Sequence, residues 1–316
     1  MADPGAAPIP LLTDAALEWL RREVPDASEF AIGRRSPLSG GYSSPLVERV
    51  EILTDAGRAA LVAKRSDPSE VTAIRLAGDV SDCPAFPELV DSGTDEFGTW
   101  LVMPCYPGSA LGAESEAPAI VYECLARMHA AFQDRVDDIP AHIPRLDARW
   151  YRDAIAKFAT SGIRRARHAR PDPVHDRALA LLSEWAASPL IESGLRFLAP
   201  TLLHGDVYGL NVIVDAETNR ARLIDWNCAR VGPAMFDVAM SVRPESPHLR
   251  AYVDSWTRAT GAQPDPWLVD LGYTWARFVT GGIFVGAVAE RFGTGPAATM
   301  LDDTTAAHTH LARLLG

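Results

Sequence analysis

Lysine is almost missing from this 316-residue chain. Only Lys64 and Lys157 occur, and arginine supplies the rest of its 30 basic residues. Cysteine is scarce too: Cys83, Cys105, Cys124 and Cys228 are scattered with no Cys-x-x-Cys pair. That spacing excludes a thiolate zinc site and a disulfide framework, and reduced thiols in a cytoplasmic protein are expected. No apolar run reaches the length of a membrane span. The longest, Phe278 to Ala289, is short and broken by Gly281, Gly282 and Gly286. The first ten residues, MADPGAAPIP, lack the basic and apolar regions of a secretory leader and are expected to form a disordered tail. Excess positive charge is absent as well. At a net charge of −11, nucleic acid is an unfavourable partner. No internal repeat or low-complexity segment occurs.

What is present is 47% hydrophobic and long enough for two domains or lobes with sizeable cores. Acidity lies mostly in the N-terminal part: residues 1–100 hold 17 acids and 9 bases, residues 101–316 hold 24 acids and 21 bases. Two glycines, Gly40 and Gly41, sit between strand-like runs and are followed by Ser43. Such a pair lets backbone N–H groups approach a phosphate without a Cβ in the way, although Gly-Gly is also an ordinary hairpin turn. No Gly-Lys-Ser/Thr follows, which excludes a Walker A loop. Lys64 lies in the next strand, Ala59 to Arg65, on the face it shares with Val62 and Ala60. A helix over Ser69 to Leu76 carries one glutamate, Glu70. Phe86 to Asp91 and Thr99 to Met103 read as two further strands.

The organising stretch is Thr201 to Asp225, TLLHGDVYGLNVIVDAETNRARLID. Two β-rich runs, Asn211 to Asp215 and Ala221 to Ile224, flank the turn Ala216 to Arg220. A turn centred on Thr218 pairs Asp215 with Ala221 and sets Asn211 opposite Asp225. Asp206, Asn211 and Asp225 then converge at one hairpin end. A hydroxyl attacking phosphorus needs an acceptor for its proton, and Mg²⁺ takes one or two carboxylates plus phosphate oxygens.

His204-Gly205-Asp206, four residues, Asn211, and then Leu223-Ile224-Asp225-Trp226 resemble the aminoglycoside phosphotransferase/choline kinase family. Val231 to Ala239 (VGPAMFDVA) resembles its next motif. The resemblance covers roughly residues 35 to 240. It implies an α+β, bilobal protein-kinase-like fold. A small N-lobe with an antiparallel sheet spans 1–103, a hinge 104–108, and a larger, mainly helical C-lobe 109–316. By the same resemblance, Asp206 is the catalytic base, and Asn211 and Asp225 hold Mg²⁺. Gly40, Gly41, Ser43 and Lys64, with Glu70 as its partner, bind the phosphates of ATP or GTP. Met103, Cys105 and Tyr106 line the purine at the hinge. Pro104 has no N–H, so the donor must be a neighbour such as Cys105 or Tyr106. Lys64 to Glu70 is closer in sequence than the family pattern leads one to expect.

The implied activity is O-phosphorylation of a small hydroxylated acceptor, an antibiotic, with no nucleic-acid or membrane partner. A polycationic acceptor calls for concentrated carboxylates. The near-neutral C-terminal part therefore keeps a macrolide or nucleoside antibiotic beside an aminoglycoside. The alternatives are a choline or homoserine kinase, a nucleotide-binding pseudokinase, and a metal hydrolase using His204, Asp206 and Asp225. Intact Lys64, Asp206, Asn211 and Asp225 argue against a pseudokinase, and the lack of further local ligands argues against a hydrolase.

Beyond the hairpin, Asp237 reads as a brace for loop backbone. His129, in the helix Pro118 to Phe132, reads as a packed structural residue. Helices are expected at Thr13 to Glu23, capped by Thr13, at Asp176 to Ser188, and over 248–260, 266–292 and 296–315. Asp265, Asp270 and Glu290 are candidate acceptor contacts. Arg149 to Arg152 reads as a surface helix, and the arginines from Arg164 to Arg170 as a solvated face.

Overall fold

The computed structural model describes residues 8–38, 46–112 and 115–316. Gly40, Gly41 and Ser43 lie outside them. In chain order come α1 (Asp14–Glu23), β1 (Phe30–Pro37), β2 (Val47–Thr54), β3 (Gly57–Ser66), α2 (Pro68–Gly78), β4 (Asp91–Asp95), β5 (Gly98–Pro104), β6 (Ser109–Ala110) and α3 (Ala119–Gln133). Then follow α4 (Ala148–Ala154), α5 (Thr160–Ala169), α6 (Pro173–Ala186), α7 (Leu190–Leu195), β7 (Pro200–Leu203), β8 (Val212–Asp215) and β9 (Arg220–Leu223). The chain ends with β10 (Arg230–Pro233), α8 (Met235–Ala239), α9 (Pro247–Thr260), α10 (Pro266–Phe292) and α11 (Thr294–Leu315). An antiparallel sheet fills the N-terminal part and helices dominate the C-terminal part, an α+β fold.

Four helices start from one local device. Asp67-Pro68, Asp172-Pro173, Ser246-Pro247 and Asp265-Pro266 each place a capping oxygen ahead of a proline at the first helical position. The cap accepts the N–H two residues on, and the proline needs no acceptor there. Thr13 caps α1 by accepting from the Ala16 N–H.

The chain divides into two compact units, one running to Cys124 with Tyr208–Ala229 added, the other Leu125–Val207 with Arg230–Gly316. In the first unit five antiparallel strands take the order β1-β2-β3-β5-β4. Leu61 and Ala63 of β3 point to one face, where Val50, Ile52, Trp100 and Val102 meet Trp19 and Leu20 of α1. Ile9 and Leu11 are buried in this same core. Packed chain therefore reaches into the segment expected to be a disordered tail. Lys64, one pleat away, faces the other side.

Phe86 to Val90 is not a strand, contrary to expectation; β4 begins only at Asp91. Pro84 and Pro87 cannot donate to a ladder. The Ala85 carbonyl instead accepts the Leu223 N–H at 2.8 Å, and Phe86 packs edge-on against Trp226 at 5.2 Å.

The β8–β9 hairpin forms one step out of the expected register. Asp215 pairs with Arg220 and Val212 with Leu223. The loop holds only Ala216 to Asn219, because Asn219 takes a left-handed turn at φ 53°, a conformation asparagine tolerates. Asn211 consequently faces Ile224, whose N–H it accepts at 2.8 Å, and Asp225 falls one residue past the pair.

In the second unit β7 pairs with β10, Leu203 opposite Arg230. Around them pack the helices, with α10 buried along most of its length. At Gly286 a Cβ would meet the Ala159 carbonyl at 2.3 Å, so only glycine lets α10 come this close to the segment before α5. Tyr151, inside the expected surface helix, is a core residue at 1% exposure.

Candidate active site

β3 passes into α2 across Asp67 alone. The tight junction swings Glu70, in the first turn of α2, back towards Lys64. The Lys64 ammonium lies 2.8 Å from Glu70 Oε1 and 2.5 Å from Asp225 Oδ1. Ser66 Oγ donates to the other oxygen of Glu70. Glu70 is fully buried and Lys64 is 4% exposed, whereas the Asp225 side chain keeps 27% of its surface. Burial pulls the Lys64 ammonium down, but the Glu70 and Asp225 carboxylates outweigh it and hold its pKa above the ordinary lysine value. Lys64 and Glu70 therefore meet, despite the short spacing.

Asp225 sits at φ 64°, ψ 65°, a left-handed conformation. Such conformations cost free energy and persist where their surroundings fix them. Trp226 does the fixing here: it is fully buried, and its indole N–H donates to the Leu223 carbonyl at 3.0 Å. Asn211, 6% exposed, is held by the backbone bond to Ile224. The hairpin thus supplies an amide and a carboxylate, hard oxygen donors suited to Mg²⁺. Among the described residues no group of three or more His, Cys, Asp or Glu could cage a metal alone. The Asn211 and Asp225 oxygens fit an ion that keeps water and phosphate oxygens as ligands.

Met103 pairs with Val62 across β5 and β3, so it shares the face of Lys64. The Cys105 N–H donates to the Ala60 carbonyl at 3.0 Å. It is already engaged, which removes Cys105 from the expected purine donors. The Tyr106 hydroxyl accepts the Glu88 N–H at 2.7 Å, and Arg222 lies 5.1 Å over its ring.

In the second unit the loop after β7 is clamped from beneath. Asp237, fully buried in α8, accepts the His204 N–H through Oδ2 and the Gly205 N–H through Oδ1, both at 2.7 Å. Gly205 is left-handed at φ 82°, and the Asp206 N–H donates to His204 Nδ1 at 3.2 Å. His129 Nε2 stands 3.2 Å from Asp237 Oδ2 and its Nδ1 stands 2.9 Å from the Tyr252 hydroxyl. Asp237 braces loop backbone and His129 is packed, as both were read. Tyr252 went unnoticed in the sequence, because an aromatic inside an amphipathic helix carries no local signal beyond core packing.

The candidate acceptor carboxylates have other employment. Asp265 caps α10 by accepting the Trp267 N–H at 2.9 Å. Asp270 contacts Thr274 and His310, and Glu290 makes a two-bond pair with Arg165.

A family model described as a phosphotransferase enzyme family matches residues 34–267, well over half of the chain. No curated protein sequence matches it. Among solved structures, an aminoglycoside phosphotransferase from Alicyclobacillus acidocaldarius is similar over 99% of this chain and 98% of its own, at TM-score 0.56 and 15% identity. A choline kinase from Cryptosporidium parvum is similar over 94% and 96%, at TM-score 0.58 and 12% identity. An ethanolamine kinase from Plasmodium vivax is similar over 94% and 88%, at 0.50 and 11%. At such identities the likeness establishes a shared kinase-like fold. No helix among the described residues is long and apolar enough to cross a membrane.

Proposed function

Because the chain belongs to the phosphotransferase enzyme family, we propose that it moves the γ-phosphoryl group of ATP or GTP to a hydroxyl of a small antibiotic and so confers resistance to it. The Lys64–Glu70–Asp225 cluster carries this reading. A buried ammonium held charged by two carboxylates is a phosphate-binding cation fixed in place. Glu70 fixes the lysine ammonium in place, where its remaining donors serve the donor phosphates. Asn211 and Asp225 would hold Mg²⁺, which offsets phosphate charge when bound.

Asp206 accepts the proton of the acceptor hydroxyl. That oxygen forms a bond to the γ-phosphorus, the bond from phosphorus to the β,γ-bridging oxygen breaks, and the nucleoside diphosphate departs. At the hinge Pro104 has no N–H, and the Cys105 N–H is taken by the Ala60 carbonyl. Tyr106 then supplies the purine donor. We retain 1–103 and 109–316 as the nucleotide and acceptor lobes, with 104–108 between them.

Two observations favour a weakly charged acceptor, such as a macrolide or a nucleoside antibiotic, over a polycationic aminoglycoside. Residues 101–316 are near charge balance at 24 acids and 21 bases. Asp265, Asp270 and Glu290 are engaged within the protein. The test is nucleotide consumption with ATP and with GTP, plus Mg²⁺, against aminoglycosides, macrolides, nucleoside antibiotics, choline and homoserine. Product mass is the readout. Gain of one phosphoryl group on a macrolide or nucleoside supports the proposal. Phosphorylation of choline or homoserine alone replaces it with a metabolite kinase, and nucleotide binding without transfer to any acceptor leaves the pseudokinase.

A further inference from the structure

Asp237 is a fully buried carboxylate, and a buried carboxylate is tolerated only when its lone pairs are met by donors. Two of those donors are the His204 and Gly205 amides, each 2.7 Å away. The third partner is His129 Nε2 at 3.2 Å. To face a carboxylate as a donor, Nε2 must carry the proton. In a neutral imidazole the lone pair is then left on Nδ1, inside a fully buried ring. Its partner there is the Tyr252 hydroxyl, 2.9 Å away on α9 and 1% exposed.

Burial, reinforced by the nearby Asp237 charge, pushes the Tyr252 hydroxyl well above the ordinary tyrosine value. It stays a donor at any working pH. With the imidazole neutral, the proton order is Tyr252 O–H to His129 Nδ1, and His129 Nε2–H to Asp237. The same carboxylate holds the loop backbone: Oδ2 takes the His204 N–H beside His129 Nε2, and Oδ1 takes the Gly205 N–H. His129 is fixed a second time, since Thr201 Oγ1 donates to its carbonyl at 2.8 Å.

We propose that Tyr252 is a positioning residue for the His204–Asp206 loop, acting through His129 and Asp237 to set where Asp206 stands. The proposal rests on the reading of Asp206 as the base. Removing the Tyr252 oxygen strands the Nδ1 lone pair in a dry site, where an unmet acceptor is costly. The imidazole is then free to change tautomer or tilt, Asp237 loses its third donor, and the clamp on the two amides slackens.

The test uses the full chain, labelled with ¹⁵N, as the parent, as Tyr252→Phe and as Asp206→Asn. Amide hydrogen exchange is followed residue by residue, beside nucleotide turnover with water as the acceptor. Phenylalanine keeps the ring against Trp256 and removes only the hydroxyl. In Tyr252→Phe, exchange at His204 and Gly205 is expected to quicken about tenfold, or ~1.4 kcal/mol. Leu125 and Met128 in α3 should keep their parental rates. Turnover should fall by a similar factor with nucleotide affinity unchanged.

Parental exchange at His204 and Gly205 in Tyr252→Phe overturns the relay. Equal quickening at Leu125 and Met128 also overturns it, because Tyr252 then supports only global stability. Asp206→Asn separates the two readings. It should leave both loop amides protected while turnover is lost, and retained turnover there removes Asp206 as base without touching the exchange result.

Discussion

Glu70 reaches Lys64 across six positions of sequence, at 2.8 Å, because the Asp67 cap starts α2 directly after β3 ends. A longer connection would let α2 begin further from the strand. Here the helix start and the ion pair are one feature: Asp67 sets the first turn, and Glu70 is in it. Replacing Glu70 by alanine takes from buried Lys64 one of its two carboxylates. The expected loss is about 1.5–3 kcal/mol, read by urea denaturation, with weaker binding of a nonhydrolysable nucleotide read by calorimetry. Unchanged nucleotide affinity would show that Glu70 serves the fold alone.

The pH dependence of stability follows from the raised pKa of Lys64. A group whose folded pKa lies above its unfolded value contributes stability in full below the unfolded value. For lysine that value is 10.5, and the contribution is lost as pH rises through the folded pKa. The Lys64 contribution should therefore be flat through neutral pH and vanish only in strong alkali. The measurement is the difference between parent and Lys64→Met in urea denaturation across pH. A difference that disappears near neutrality would contradict the charge state assigned to the pair.

Gly205, at φ 82°, carries one of the two amides that Asp237 holds. Gly205→Ala forces a side chain into left-handed backbone, at a cost of roughly 1–2 kcal/mol. The loop can relieve it by releasing the clamp. Thermal denaturation should show the modest loss, and turnover should fall by more than the stability change alone accounts for.

Trp226 should tune the proposed metal site without touching it. Its indole holds the turn that carries Asp225, through the Leu223 carbonyl and the edge contact with Phe86. Trp226→Phe keeps much of the packing and deletes the N–H. Mg²⁺-dependent nucleotide binding should weaken, while binding in the absence of Mg²⁺ stays near the parent's. Equal weakening in both conditions would assign Trp226 to general folding.

Where local chemistry dictates local structure, the chain could be read directly. Thr13 announced α1, and the long helices near 248–260, 266–292 and 296–315 fell within a residue or two of α9, α10 and α11. Their apolar period marks them, and side-chain caps start α9 and α10, so nothing distant has to decide. The hairpin register could not be read this way. Whether four or five residues turn the chain depends on Asn219 adopting φ 53°, and no composition rule fixes that. Phe86 to Val90 misled because Phe86 serves a different purpose, packing on Trp226 far along the sequence, next to the Ala85 carbonyl that accepts the Leu223 N–H. Chemistry-bearing types in fixed spacing made Lys64, Asp206, Asn211 and Asp225 visible as candidates. Tyr252 was invisible, since its meaning comes entirely from His129 and Asp237 on other elements.

The most direct test of the account is turnover by Asp206→Asn with the acceptor found in the panel, beside its nucleotide affinity. With Asp206 as the base, kcat falls by about 10²–10⁴, the usual worth of a general base, with nucleotide affinity unchanged. Turnover at the parental rate would contradict it and leave proton removal to a group other than Asp206.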